Sequence, residues 1–193
     1  MTARYEQIPE ELKDFRNFLY ITWKHLGLPD PTPVQYDIAD YLQHGPRRRM
    51  VQAFRGVGKS WITSAFGLWN LYMDPDTKIL VVSASKSRAD DFSSFCHRLI
   101  REMPVLQHLA PDEAQRSSKI AWDVGPARAA HSPSCKSVGI TGQLTGSRAN
   151  LIIADDVEVP GNSATVGARS KLAESTKEFE AIIVPDTGEI VYL

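Results

Sequence analysis

The feature that most constrains this chain lies at residues 50–73. Met50 to Phe54 reads as a strand, Arg55-Gly56-Val57-Gly58 follow, and a helical pattern then runs from Lys59 to Met73. Ala53-Phe54-Arg55-Gly56-Val57-Gly58-Lys59-Ser60 matches G-x-x-x-x-G-K-[ST], with Ala53 where the first glycine usually stands. A strand, a glycine-rich loop and a helix in that order bring backbone N–H groups and the positive end of a helix to one point, which makes a cradle for phosphate. Gly56 and Gly58 let the backbone close around an anion with no Cβ in the way, and Val57 between them continues the row of amides. Lys59 is positioned to reach β- and γ-phosphates, and the Ser60 hydroxyl to ligate Mg²⁺. Arg55 adds a cation that the general pattern does not require; it is either a γ-phosphate contact or a surface arginine on a tight turn.

A loop of this kind needs a carboxylate at the end of a neighbouring buried strand to hold Mg²⁺, and another to orient an attacking water. Leu151 to Ala154 is a continuous apolar run, as expected of a strand covered on both faces, and it ends in Asp155-Asp156-Val157-Glu158. Asp155 is assigned to the metal. Asp156 is preferred by position as the water-polarising group, with Glu158, which has the longer reach, as its rival. Together the two stretches imply an enzyme that hydrolyses ATP with Mg²⁺.

The remaining pattern fits a three-layer α/β fold with a mainly parallel sheet. Residues 7–26 read as one amphipathic helix, Pro29, Pro31 and Pro33 as a stiff connector, and 34–43 as a second helix. Lys78 to Val82 reads as a strand, Ser87 to Glu102 as a helix, Lys119 to Val124 and Ser137 to Ile140 as short strands, 164–181 as a helix, and Ile190 to Leu193 as a last strand. The expected organisation is a helical N-terminal segment over 1–45 followed by an ATPase core over 46–193. Trp61, Leu68 and Trp69 are expected in the core, and the five histidines, which lack metal-ligand spacing, are read as structural.

The 193 residues are 42% hydrophobic with a net charge of -1, which excludes a disordered or collagen-like chain. That balance hides a pattern: Arg47, Arg48, Arg49, Arg55 and Lys59 fall between Asp40 and Asp74 with no acid among them, whereas Asp155, Asp156, Glu158, Glu174, Glu178 and Glu180 cluster later. The pattern suggests an anion-binding side and a cation-binding side, or two differently solvated faces. The basic run could face DNA, solvent or a neighbouring subunit. Cys96 and Cys135 form no pair of metal or disulfide type and suit a reducing compartment. No run approaches the ~20 apolar residues of a membrane helix.

The stretches AFRGVGKS at 53–60, ILVVSASKSRAD at 79–90, SVGITGQLTGSRA at 137–149 and LIIADDVE at 151–158 resemble the large terminase subunit of short-tailed double-stranded DNA bacteriophages. The resemblance implies a P-loop NTPase fold of the ASCE/RecA-like type and a motor domain that hydrolyses Mg-ATP to move double-stranded viral DNA into a procapsid. It implies a homo-oligomeric, pentameric ring with the portal protein and the small terminase subunit as partners, working in the host cytoplasm at the procapsid portal. The isolated chain would be a monomer. The in-loop Arg55 matches an arginine known in that family's loop. Thr32-Pro33-Val34-Gln35 looks like the family's adenine-reading glutamine motif, with Gln35 as the reader. Thr145-Gly146-Ser147-Arg148 resembles a loop bearing an arginine, so Arg148 is a candidate to complete a neighbouring subunit's site. In the family a coupling motif follows the strand corresponding to Ile190–Leu193 and a nuclease domain lies beyond it; the expectation is that this chain does not cut DNA and turns ATP over weakly. A helicase-like DNA-dependent ATPase is the alternative, set apart by Arg55 and by the lack of a DEAD/DEAH-type box. A nucleotide-binding assembly module without turnover is the other.

Overall fold

The computed structural model describes residues 8–144, 146 and 148–193. Its strands β1 (Arg48–Met50), β2 (Ile79–Ser83), β3 (Ala121–Trp122), β4 (Cys135–Gly139), β5 (Leu151–Asp155) and β6 (Glu189–Tyr192) form one sheet in the order β1-β6-β5-β2-β4-β3. Neighbours are parallel except β3, which runs antiparallel to β4. β2 and β5 sit in the middle because their side chains are apolar on both faces, a pattern that only a sheet covered on both sides can bury.

Side chains alternate between the two faces. Ile79, Val81, Leu151, Ile153 and Val191 point to one side, under α1 (Phe15–His25), α2 (Pro33–His44), α3 (Lys59–Met73) and α4 (Lys86–Glu102). Leu80, Val82, Ile152, Ala154 and Ile190 point to the other, where Phe179 and Ile182 of α6 (Val166–Ile182) close over them. A short helix, α5 (Pro160–Ser163), precedes α6. The N-terminal helices share the first core: Phe15 meets Phe66 edge-on at 5.2 Å between ring centroids.

Two elements differ from the sequence reading. The single helix expected over 7–26 is interrupted, with a 3-10 turn at Glu10–Lys13 and α1 beginning at Phe15. Asp14 sits extended between them and accepts a hydrogen bond from the Arg16 N–H at 2.9 Å, so it caps a new helix and does not continue the old one. The first strand falls at Arg48–Met50 instead of Met50–Phe54, because pairing with β6 decides its place (Arg48 opposite Ile190). Val51 still donates to the Tyr192 carbonyl at 2.8 Å before the chain leaves the ladder.

Pairing of this kind also overturns the view of the arginine run as a free basic face. Arg48 bridges Glu180 at 2.7 Å, and the buried Arg49 bridges Glu189 at 2.6 Å. Further along, Arg116 pairs with Asp123 at 2.7 Å and Arg128 with Asp76 at 2.6 Å. Much of the charge separated in sequence is therefore interlaced in the fold, and Arg49 is not available to DNA.

Candidate nucleotide-binding site

The loop between β1 and α3 rises from the C-terminal edge of the sheet. Gly56 and Gly58 have φ of +95° and +87°, left-handed values that a Cβ would strain, and Gly58 caps α3. Ala53 needs no such freedom: among the described residues the only non-glycine positions with positive φ are Asp156 and Asp186. That explains why alanine serves where the pattern has glycine. Val57 is buried and anchors the loop in the core.

Gln35 lies against this loop. Its Nε2 donates to the Val57 carbonyl at 2.9 Å, and its Oε1 accepts from the Thr32 N–H at 2.8 Å. Both halves of the amide are thus engaged with backbone, tying the start of α2 to the loop. Lys59 folds across the loop, its Nζ donating to the Ala53 carbonyl at 3.3 Å. Arg55 is exposed at the tip of the loop.

Across from the loop, the Ser60 hydroxyl donates to Asp155 Oδ1 at 3.3 Å, joining residues ninety-five positions apart. Burial pushes the Asp155 carboxyl up from its ordinary range; the Ser60 hydrogen bond opposes this, and the neighbouring Asp156 charge adds to it. A cation there would favour the ionised form. Among the described residues no three His, Cys, Asp or Glu side chains cluster as a metal cage. One carboxylate and one hydroxyl, both hard oxygen donors, instead fit a Mg²⁺ ion that completes its shell with phosphate and water oxygens.

Asp156 turns out of the strand with φ +46°, a strained conformation of the kind found at functional sites. Asp156 lines three adjoining clefts. One of about 280 Å³ is bounded by Phe54 to Trp61. A second of about 380 Å³ is bounded by Ser60, Arg88 and Asp155, and a third of about 540 Å³ by Lys59, Glu158, Tyr192 and Leu193. Glu158 lines only the third of these. Lys59, Asp156 and Glu158 share the third cleft, and Asp156 alone of the two acids borders all three.

The sequence reading missed Arg88. It stands in the first turn of α4, its Nη1 3.8 Å from Asp156 Oδ2. The small residues Ser83-Ala84-Ser85 ahead of α4 were the only local hint that the helix would start beside the acidic strand end. Trp61, expected in the core, is 43% exposed at the rim of the loop cleft, stacked on Phe95 with centroids 6.0 Å apart. Arg148 is exposed and precedes β5, at the opposite end from Asp155 of a strand about 13 Å long at ~3.3 Å per residue. The chain does not bring it to its own loop. Thr145 and Ser147, in the same stretch, lie outside the described residues.

A glycine-rich loop after one parallel strand, an acidic end on another and a third strand (β6) between them define the P-loop nucleoside triphosphatase fold. Known structures agree on the fold. The large terminase of bacteriophage HK97 superposes with a TM-score of 0.64 at 16% identity, over 94% of this chain and 37% of that one. Dbp5 of Saccharomyces cerevisiae, solved with ADP among its ligands, gives 0.56 at 13% identity over 91% of this chain and 45% of that one. No family model matches the sequence. The terminase large subunit of Enterobacteria phage T3 is 56% identical over 182 residues, 93% of this chain. The chain belongs to the phage terminase large-subunit family, and it spans 31% of the length of that relative.

Proposed function

We propose that the chain is the ATP-hydrolysing motor portion of a terminase, which drives double-stranded DNA into a viral procapsid. The observation that carries this reading is the contact between Ser60 of the loop and Asp155 of β5, 3.3 Å apart at the mouth of the glycine-rich loop. Family membership supports the packaging role, and the geometry of the cleft supports hydrolysis.

In this reading the amides of Gly56, Val57 and Gly58 and the N-terminus of α3 cradle the phosphates. Lys59 leaves the Ala53 carbonyl for the β- and γ-phosphates. Ser60 and Asp155 hold Mg²⁺, which when bound neutralises charge on the phosphates. Asp156 orients the attacking water, favoured over Glu158 because it lines the loop cleft as well as the Ser60–Asp155 cleft. Arg55 at the loop tip faces the γ-phosphate, and Gln35 reads adenine by exchanging its backbone partners for the base. Arg148, remote from its own loop, serves the site of the next subunit in a ring. That ring works with the portal protein and the small terminase subunit on DNA, in the host cytoplasm.

Phosphate release measured side by side for the native chain and Lys59→Ala tests hydrolysis, with loss of release expected in the variant. Equal rates would defeat the enzyme, and retained nucleotide binding would then leave an assembly module. Asp156→Asn is expected to lose more turnover than Glu158→Gln; the reverse order would transfer the water-orienting role to Glu158. Unwinding of a short duplex by the full-length protein would favour a helicase over a packaging motor.

A further inference from the structure

Ser83 is the last residue of β2 and fully buried, and its Oγ has no hydrogen-bond partner among the described residues. An orphan hydroxyl at this depth carries a desolvation penalty with nothing to offset it. Its surroundings say what it is kept for. Ser83 lies on the same face of the sheet as Val81 and Ile79, two and four residues back. On one side its register partner is Gly139 of β4, which has no side chain. On the other it is Asp155 of β5. Adjacent strands lie about 4.8 Å apart, and parallel register partners point to the same face. The Asp155 carboxylate is therefore the polar side chain that flanks Ser83 across the sheet. In the cleft that Asp155 lines, the Ser64 hydroxyl already donates to the Ser60 carbonyl at 2.7 Å.

Among the described residues Asp155 has one side-chain donor, Ser60, at 3.3 Å. A Ser60 oxygen turned toward a cation no longer donates to that carboxylate, which is then left without this hydrogen bond in a buried setting. We propose that Ser83 is a positioning residue for Asp155: its hydroxyl rotates to donate to the carboxylate when Ser60 turns to the metal, keeping Asp155 aimed. The inference rests on the reading of Ser60 and Asp155 as the metal pair.

Mn²⁺ titration of the full chain in the presence of ADP, followed by electron paramagnetic resonance, tests it with Ser83→Ala and Asp155→Asn in parallel. Loss of an outer-shell partner typically costs 10–100-fold in metal affinity. Ser83→Ala is expected to weaken Mn²⁺ by about 10-fold, while the metal-free variant melts no lower than the native chain, since a methyl replaces an unsatisfied hydroxyl. Native Mn²⁺ affinity in Ser83→Ala, with affinity lost in Asp155→Asn, would overturn the inference and leave the metal pair standing. Native affinity in both variants would overturn the metal pair and the inference with it. A Ser83→Ala chain that melts lower or fails to fold would also overturn it, because the hydroxyl would then already be bonded in the metal-free state.

Discussion

Arg48 and Arg49 are neighbours in sequence, each pairs with a glutamate, and the two pairs are expected to differ several-fold in their contribution to stability. The Arg49 side chain is 2% exposed and that of Glu189 32%, with 2.6 Å between them. Arg49 Nε has no partner among the described residues, and its other polar contact is the Gly45 carbonyl at 3.2 Å. Glu189→Ala would leave a buried guanidinium with that carbonyl alone. Removing one member of a buried pair costs about 3–5 kcal/mol; water reaching the partly exposed Glu189 side puts this case near ~3 kcal/mol. The Arg48 and Glu180 side chains are 40% and 61% exposed, so Glu180→Ala should cost about 0.2–1 kcal/mol. In a chain of 193 residues each kcal/mol moves the melting point by about 2–4 °C. The expected losses are about 6–12 °C for Glu189→Ala and at most about 4 °C for Glu180→Ala. Urea midpoints at unchanged slope check the same ordering in free energy. Equal losses for the two variants would refute the assignment of Arg49 to the interior. An Arg49→Met, Glu189→Met double variant should recover most of the loss, since it removes the buried charge together with its partner.

Gly58→Ala meets no clash: a Cβ there would stand 3.6 Å from Gln35 Nε2 and 3.9 Å from Trp23. Its cost is the left-handed backbone alone, about 1–2 kcal/mol by urea unfolding, with weaker binding of an ATP analogue; unchanged stability would show that the loop does not need this conformation. Because burial raises the Asp155 carboxyl, the folded chain holds that proton more tightly than the unfolded one. Its contribution to metal-free stability should fall as pH rises from the ordinary aspartate value of 3.8 toward the raised folded value, and Asp155→Asn should flatten that decline in urea titrations. Gln35→Ala removes two backbone hydrogen bonds and should cost about 1–3 kcal/mol. Gln35→Glu keeps the acceptor for Thr32 but cannot donate to Val57, so it should lower nucleotide-analogue affinity along with stability.

What the sequence determined by itself was local or doubly constrained. The loop at 53–60 is contiguous, so its glycine–lysine pattern is recognisable wherever the chain places it. β5 was legible because an apolar run buried on both faces has few places to go but the middle of a sheet, and Asp155 follows directly from its end. The tertiary structure decided whatever depends on partners far along the chain. Two residues of a three-arginine run entered an edge strand, where Glu180 and Glu189, well over a hundred residues later, neutralise them. β6 came between β1 and β5, Arg88 swung in beside Asp156, and Ser83 was left between Asp155 on one side and a glycine on the other. Periodicity and motif spacing describe a chain one neighbourhood at a time. Strand order, register and the pairing of buried charge are set by long-range contacts, which exist only once the sheet has closed.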